Sequence, residues 1–357
     1  MSAAPAGFAG CVVRWQQSSG RNSLPWQNTR DPYPVWLSEI MLQQTQVATV
    51  LRYYQRFLGR FADVRALAGA QLDEVLGLWS GLGYYSRARN LHRCAQQVVE
   101  QHGGVFPRRA QVLQTLPGIG RSTAAAVASI CVGERVAILD GNAKRVLTRV
   151  LGFDADLAAA ASERELWLQA EALLPRRGVR EAMPRYTQGL MDLGATVCLA
   201  RNPGCSLCPV QGVCVASRQG QPHKFPVKTR KLKRSSQSLW LLRAHQADGA
   251  VWLEKRPASG IWAALYCLPV FESRDALEAA VAPDSRAALR HDAPFVHVLT
   301  HKDLHLHPVA GQFGGKPMRG REGAWFGLHE WPALGLPAPV RRLLESATIP
   351  RRVPDAA

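Results

Sequence analysis

Acid is what this chain is short of. It carries 27 Asp+Glu against 44 Lys+Arg, a formal net charge of +17 over 357 residues. A surface so short of carboxylates attracts polyanions, and nucleic acid is the first candidate, although charge alone is equally compatible with an inert basic surface. No run of about eighteen apolar residues is present, which excludes a membrane-spanning helix. Met1 to Gly10 lacks a basic stretch leading into an apolar one, so no secretory signal is expected. There is no internal repeat and no low-complexity tract. Cysteine is also scarce. Of 8 cysteines, Cys11, Cys94, Cys131 and Cys267 are scattered among apolar neighbours and read as reduced core residues of a cytoplasmic protein. What is there is ordinary: 47% apolar residues, and a length sufficient for two domains with full cores.

The other four cysteines are close together. Cys198, Cys205, Cys208 and Cys214 follow the spacing C-x6-C-x2-C-x5-C. Four thiolates so near one another suit one iron–sulfur cube or one zinc ion. With no sign of secretion a disulfide pair is the weaker reading. Spacing alone leaves zinc and iron–sulfur open, because both accept four thiolates.

The first two-thirds read as helical. Val35, Trp36, Ile40, Met41, Val47, Val50 and Leu51 recur at helical spacing and predict one long helix over 34–57, with Pro34 in its first turn. Further helices are expected near 71–79, 86–101, 121–132, 142–151, 162–174 and 184–197, punctuated by Gly and Pro. Residues 218–237 hold His223, Lys224, Lys228, Arg230, Lys231, Lys233 and Arg234 without apolar periodicity, and read as a basic linker. Beyond it the pattern becomes strand-like. Ser238–Arg243 and Ala250–Lys255 flank the turn dipeptide Asp248–Gly249, 273–281 looks helical, and 295–299 and 304–309 look like strands. The expected organisation is a mostly α domain over 1–217, a linker over 218–237 and an α/β domain over 238–350.

Three places carry chemistry. Residues 116–124 read Leu-Pro-Gly-Ile-Gly-Arg-Ser-Thr-Ala. Gly118 and Gly120 allow a tight turn whose N–H groups face outward ahead of a helix N-terminus, where a phosphate can bind, with Arg121 and Lys144 adding charge. An ordinary turn between helices explains a lone G-x-G equally well. Asp140 precedes a helix. Its plainest role is an N-cap, and the same position suits an ionised carboxylate beside a sugar that develops positive charge. Glu39 sits among apolar neighbours. Such a residue is usually part of a solvated face, but partial burial would raise its pKa and suit a general acid.

Together these strings resemble the MutY-type adenine DNA glycosylase family, within the endonuclease III (helix-hairpin-helix) superfamily. The matching segments are Leu24–Trp26, Glu39–Val47, Trp79–Tyr85, the hairpin, Leu139–Arg145, Met191–Ala195 and the cysteine loop. The resemblance implies a catalytic domain of two helical lobes holding one structural [4Fe–4S] cluster on Cys198, Cys205, Cys208 and Cys214. It also implies a Nudix-like second domain, whose start matches 253–269 and which lacks the R-E-x-x-E-E cluster that holds Mg²⁺ in Nudix hydrolases. That domain is therefore expected to recognise a base and not to hydrolyse a nucleotide. The implied reaction is removal of adenine mispaired with 8-oxoguanine or guanine in double-stranded DNA, by a monomer associated with the bacterial nucleoid. Glu39 would protonate adenine, Asp140 would stabilise the sugar, and Asn142 would orient Asp140 or the water. Gln44 and Tyr84 are candidate wedges, and Trp26 is a candidate wall for the flipped base, or equally a core Trp. The family's 8-oxoguanine-sensing Phe-Ser-His loop corresponds to Leu299-Thr300-His301, which keeps the hydroxyl and imidazole and loses the Phe; a polar turn between strands fits those residues as well.

Strand-cleaving relatives carry Lys where this chain has Ser122. A hydroxyl forms no Schiff base, so little or no lyase activity is expected. Two other readings compete. A glycosylase for thymine or oxidised pyrimidine is opposed by Ser122 and the second domain. A non-enzymatic cluster-bearing regulator needs neither Glu39 nor Asp140.

Overall fold

The computed structural model describes residues 7–229 and 233–348. Arg230 and Lys231 of the expected linker, and both outer ends of the expected domains, lie outside the described residues. The chain forms two compact units. The first is 1–68 with 93–231, and the second is 69–92 with 232–357.

The first unit is helical. Helix Phe8–Ser19 packs on helix Val179–Thr196, which also packs on Gly141–Leu151 and Arg121–Val132. Phe8, Val12, Leu147, Met183, Tyr186, Leu190 and Leu193 form its fully buried centre. Arg121–Val132 is buried along Ala124–Ile130, and its small side chains let neighbouring helices approach closely. One face of it takes helix Pro32–Leu42. The single helix expected over 34–57 is in fact two, Pro32–Leu42 and Val47–Arg60. Gln44 breaks it with φ +57. The apolar stripe runs on across the break, so periodicity alone missed it. Helix Val179–Thr196 starts earlier than the expected 184, because Pro184 sits inside the helix and not at its start.

The second unit is α/β. Its strands are β1 (Ser235–His245), β2 (Val251–Lys255), β3 (Tyr266–Cys267), β4 (Val270–Phe271), β5 (Arg290–His291), β6 (Phe295–Val298), β7 (Lys302–Gln312) and β8 (Ala324–Phe326). They form one sheet of order β3-β2-β1-β7-β5, with β4 on β1, β6 on β7 and β8 on β2. β1 and β7 pair in parallel from Ser235↔Lys302 to His245↔Gln312, and β1 and β2 pair antiparallel around the expected turn. Alternation along the strands sorts the apolar side chains onto two faces. Leu239, Leu241, Leu304 and Leu306 pack with Val340 and Leu344 of helix Ala338–Thr348. Leu242, Ala244 and Val309 pack with Leu277 of helix Arg274–Ala280.

Residues 69–92 lie early in the sequence but are built into this second unit. Lys255 Nζ is 2.6 Å from the Asp73 carboxylate. The Tyr85 hydroxyl donates to Leu336 O at 2.6 Å, and Arg89 donates to Ala263 O at 2.8 Å. Helical periodicity at 71–79 predicted the helix but not the partner it packs on.

Candidate active site

Glu39 and Asp140 belong to the first unit, on different helices. Asp31 caps helix Pro32–Leu42 by accepting from Tyr33 N at 3.0 Å. Every residue of that helix from Val35 to Met41 other than Glu39 is buried. Glu39 is half-buried and its carboxyl is desolvated. Burial, reinforced by the negative charge of Asp140, pushes its pKa from 4.5 up to about 7.

Asp140 is the N-cap of helix Gly141–Leu151, and its Oδ1 accepts from Ala143 N at 2.7 Å. Burial raises its pKa. The N–H groups of Ala143 and Asn142 and the charges of Arg145 and Lys144 oppose that rise without cancelling it. The cap thus favours the ionised form, as the sequence suggested, but burial outweighs it in the free protein.

The backbone leading into Asp140 is tied to the hairpin. Leu139 N donates to Ser122 Oγ at 3.1 Å. Gly118 has φ +76, which accounts for glycine there. Gly120 has an extended backbone and caps helix Arg121–Val132 with no side-chain bond. A Cβ at Gly120 would meet open space, so glycine is not required there by conformation.

Asn142 Oδ1 accepts from Arg145 Nη2 at 2.8 Å, while its backbone N–H faces the Asp140 carboxylate. The same guanidinium donates to Gly194 O at 2.6 Å and Cys198 O at 2.7 Å. A Cβ on Gly194 would lie 2.6 Å from Asn142 Cβ, so only glycine allows this approach. Asp192, fully buried in the same string, pairs with Arg21 at 2.7 Å and accepts from Gln188 at 2.9 Å. The two cations expected to add charge at the hairpin both have acidic partners. Arg121 Nη2 is 2.8 Å from Glu171, and Lys144 Nζ is 2.5 Å from Glu163.

Trp26 is buried and packs edge-to-face on Tyr54 at 5.1 Å. Gln44 is exposed in its left-handed conformation between two helices. In the second unit Tyr84 has φ +48 and is 45% exposed. Positive φ in a non-glycine residue costs energy and marks both as constrained. The Tyr84 hydroxyl is 3.2 Å from Thr300 Oγ1. Thr300 and His301 are exposed in the turn between β6 and β7, which Leu299 N closes by donating to Lys302 O at 2.8 Å.

Cys198, Cys205, Cys208 and Cys214 all line one open pocket. Arg149, almost fully buried, donates to Cys198 Sγ at 3.3 Å and Leu199 O at 2.7 Å, so a cation holds the segment beside the sulfurs. Burial raises the Cys208 thiol to about 11 and also raises Cys214. Among the described residues no three His, Cys, Asp or Glu side chains are grouped tightly enough to hold an ion as they stand. Four cysteines lining one pocket, with an arginine donating to the sulfur of one of them, nevertheless fit a thiolate-held cluster. The sequence reading missed Arg145, Arg149, Asp192 and the Ser122–Leu139 link as organisers of the site. Arg145 and Asp192 lie inside matched segments; Arg149 had no local signal.

Comparison with known proteins bears on both units. Residues 37–171 match the family model of HhH-GPD superfamily base excision DNA repair proteins, and 239–346 match that of NUDIX domains. The chain is 34% identical over 346 residues to an adenine DNA glycosylase of Buchnera aphidicola subsp. Acyrthosiphon pisum, covering 95% of this chain and 97% of that one. It is 44% identical over 222 residues to the adenine DNA glycosylase of Homo sapiens, covering 59% of this chain and 40% of the human one. The solved structure of a thermostable thymine-DNA glycosylase is 28% identical, covers 59% of this chain and 95% of its own, and superposes with a TM-score of 0.52.

Proposed function

The chain belongs to the adenine DNA glycosylase family and is thereby a DNA N-glycosylase with DNA as its partner, and we propose that it removes adenine mispaired with 8-oxoguanine or guanine. The observation that carries the reading is the carboxyl pair: Glu39 held at a pKa of about 7 by burial and by the charge of Asp140. Such a pair divides the work, one group as acid and the other as stabilising base.

The flipped adenine accepts a proton from Glu39 at N7. The N-glycosidic bond breaks and its electron pair goes to the base. The sugar becomes oxocarbenium-like, and a carboxylate at Asp140 stabilises it. That developing positive charge favours ionised Asp140, against the burial that raises its pKa in the free protein. Water adds to the sugar carbon and gives its proton to the Glu39 carboxylate, which the first step left unprotonated. Arg145 holds Asn142 against Gly194, which keeps the first turn after Asp140 fixed. Ser122 offers no amine, and its oxygen already accepts from Leu139, so hydrolysis without strand cleavage is the reading its chemistry supports. Gln44 and Tyr84 are proposed to fill the stack, and Trp26 to back the base pocket behind other residues. The phosphate backbone is proposed to meet the hairpin at Gly118 and Gly120.

Cys198, Cys205, Cys208 and Cys214 are proposed to hold one [4Fe–4S] cluster of structural role. Arg149 would sit beside it, and exposed Arg201 on its loop would face phosphate. The working organisation is a catalytic domain over 1–217, a linker over 218–237 and an 8-oxoguanine-reading domain over 238–350, in a cytoplasmic monomer. Thr300 and His301 are the proposed readers, and the Tyr84–Thr300 hydrogen bond supports linking the wedge to that loop.

The deciding experiment measures base release from duplexes carrying adenine opposite 8-oxoguanine, adenine opposite guanine, and thymine opposite guanine. Release of adenine from the first two is expected. Release of thymine alone would move the protein to the specificity named for its thymine-DNA glycosylase neighbour.

A further inference from the structure

Helix Ala160–Ala172 carries Glu163, Trp167 and Glu171 at four-residue spacing, so they share one face. This face meets two cations. Lys144 Nζ lies 2.5 Å from Glu163 Oε1, and Arg121 Nη2 lies 2.8 Å from Glu171 Oε1. The Arg121 guanidinium also covers the Trp167 ring at 3.9 Å from its centroid. In a chain of net charge +17, the cations next to the hairpin and to Asp140 are thus neutralised by carboxylates.

We propose that Glu163 and Glu171 are exchangeable stand-ins for DNA phosphates, restraining Arg121 and Lys144 from gripping undamaged duplex. The four side chains keep 30–49% of their surface exposed, so a phosphate oxygen reaches both cations. Exposed ion pairs are weak and salt-screened, and a phosphate offers the same charge with more acceptor oxygens. Trp167 contacts the face of the guanidinium and leaves its N–H edge to trade a carboxylate for a phosphate. Each trade strands a carboxylate near the backbone, so every contact with DNA is discounted. An enzyme that must leave countless undamaged sites gains by that discount. The inference rests on DNA being the partner and deepens the phosphate contact proposed for the hairpin.

The test is binding of the full chain to an undamaged labelled duplex across a salt series, for the parent, Glu163→Gln, Glu171→Gln and the double variant. The double variant should bind about 3- to 10-fold tighter at low salt, with a log–log salt slope steeper by up to about 0.9 per freed cation. Glu171→Asp, which keeps the charge, should restore the parental slope. Arg121→Gln placed in the Glu171→Gln background should erase that variant's gain. Unchanged or weaker binding by the double variant would overturn the proposal, because the glutamates would then only fix side-chain positions. Single-turnover adenine release by Glu171→Gln at saturating enzyme should match the parent. If the parent itself releases no adenine, the function reading fails while the binding comparison still decides this one.

Discussion

At the scale of single residues the argument turns on two carboxyls whose pKa values are both displaced upward by burial. Glu39 must carry a proton to act as acid, and Asp140 must have lost one to stabilise the sugar. Single-turnover excision should therefore fall above about pH 7, where Glu39 ionises, and fall again in acid as Asp140 protonates. The two groups interact, so each limb reports the pair. Glu39→Gln should reduce excision by about 10²- to 10⁴-fold and abolish the alkaline limb while mismatch binding persists. Asp140→Asn should be similarly impaired. A rate near the parent's for Glu39→Gln would reject the acid. Stability gives an independent check. The folded pKa of Glu39 lies above its unfolded value, so the native state holds the proton more tightly. Its contribution is whole below pH 4.5 and is lost as pH rises through about 7, roughly 3 kcal/mol in all. Glu39→Gln should melt higher than the parent above pH 7, with the gap shrinking toward pH 4.5. Glu39 was legible in the sequence because a charge among apolar neighbours is conspicuous. The net upward shift of Asp140 was not, because it depends on burial by residues far away in the chain.

Elements explain what single residues do not. The hairpin and the segment entering Asp140 are joined by Leu139 N donating to Ser122 Oγ, across 17 residues of sequence. Position 122 therefore does two things: it lacks the amine of a lyase, and it fixes the backbone entering Asp140, the proposed catalytic carboxylate. Ser122→Lys should gain borohydride-trappable strand cleavage and also lose part of its base release. Leu139 is buried, and its N–H without a partner costs about 1–3 kcal/mol. Ser122→Ala should show the second effect without the first. Equal trapping by parent and Ser122→Lys would show that the parent already uses an amine. Most helices were legible from their periodicity, as were the hairpin string and the β1–β2 turn. The interruption at Gln44 was not, since its polar side chain fits the exposed face of an unbroken helix. Helix Phe8–Ser19 escaped notice, as did the acidic face of Ala160–Ala172 that pairs with Arg121 and Lys144.

For the whole molecule, the division into units decides how recognition of 8-oxoguanine is best tested. The change from helical to strand-like pattern was legible, but the assignment of 69–92 to the second unit was not. Those residues are tied to it by Asp73–Lys255 and Tyr85–Leu336. Cutting the chain near Ser238 would strip both partners away and disturb Tyr84 along with the loop, so truncation confounds recognition with damage to the proposed wedge. Point substitutions isolate the loop. Thr300 and His301 are exposed in a short turn, and replacing both with Ala should leave the sheet intact. If they read the oxidised base, excision of adenine opposite 8-oxoguanine should slow by the equivalent of about 1–3 kcal/mol, while adenine opposite guanine changes much less. Tyr84→Phe keeps the ring and removes only the hydroxyl that meets Thr300, so it should reproduce part of the same bias. Both duplexes must be compared at one fixed salt concentration, since a chain of net charge +17 binds all DNA in a salt-dependent way. Slowing of both substrates by one factor would mean that the turn only supports Tyr84, and the reading of 8-oxoguanine by these two residues would fail.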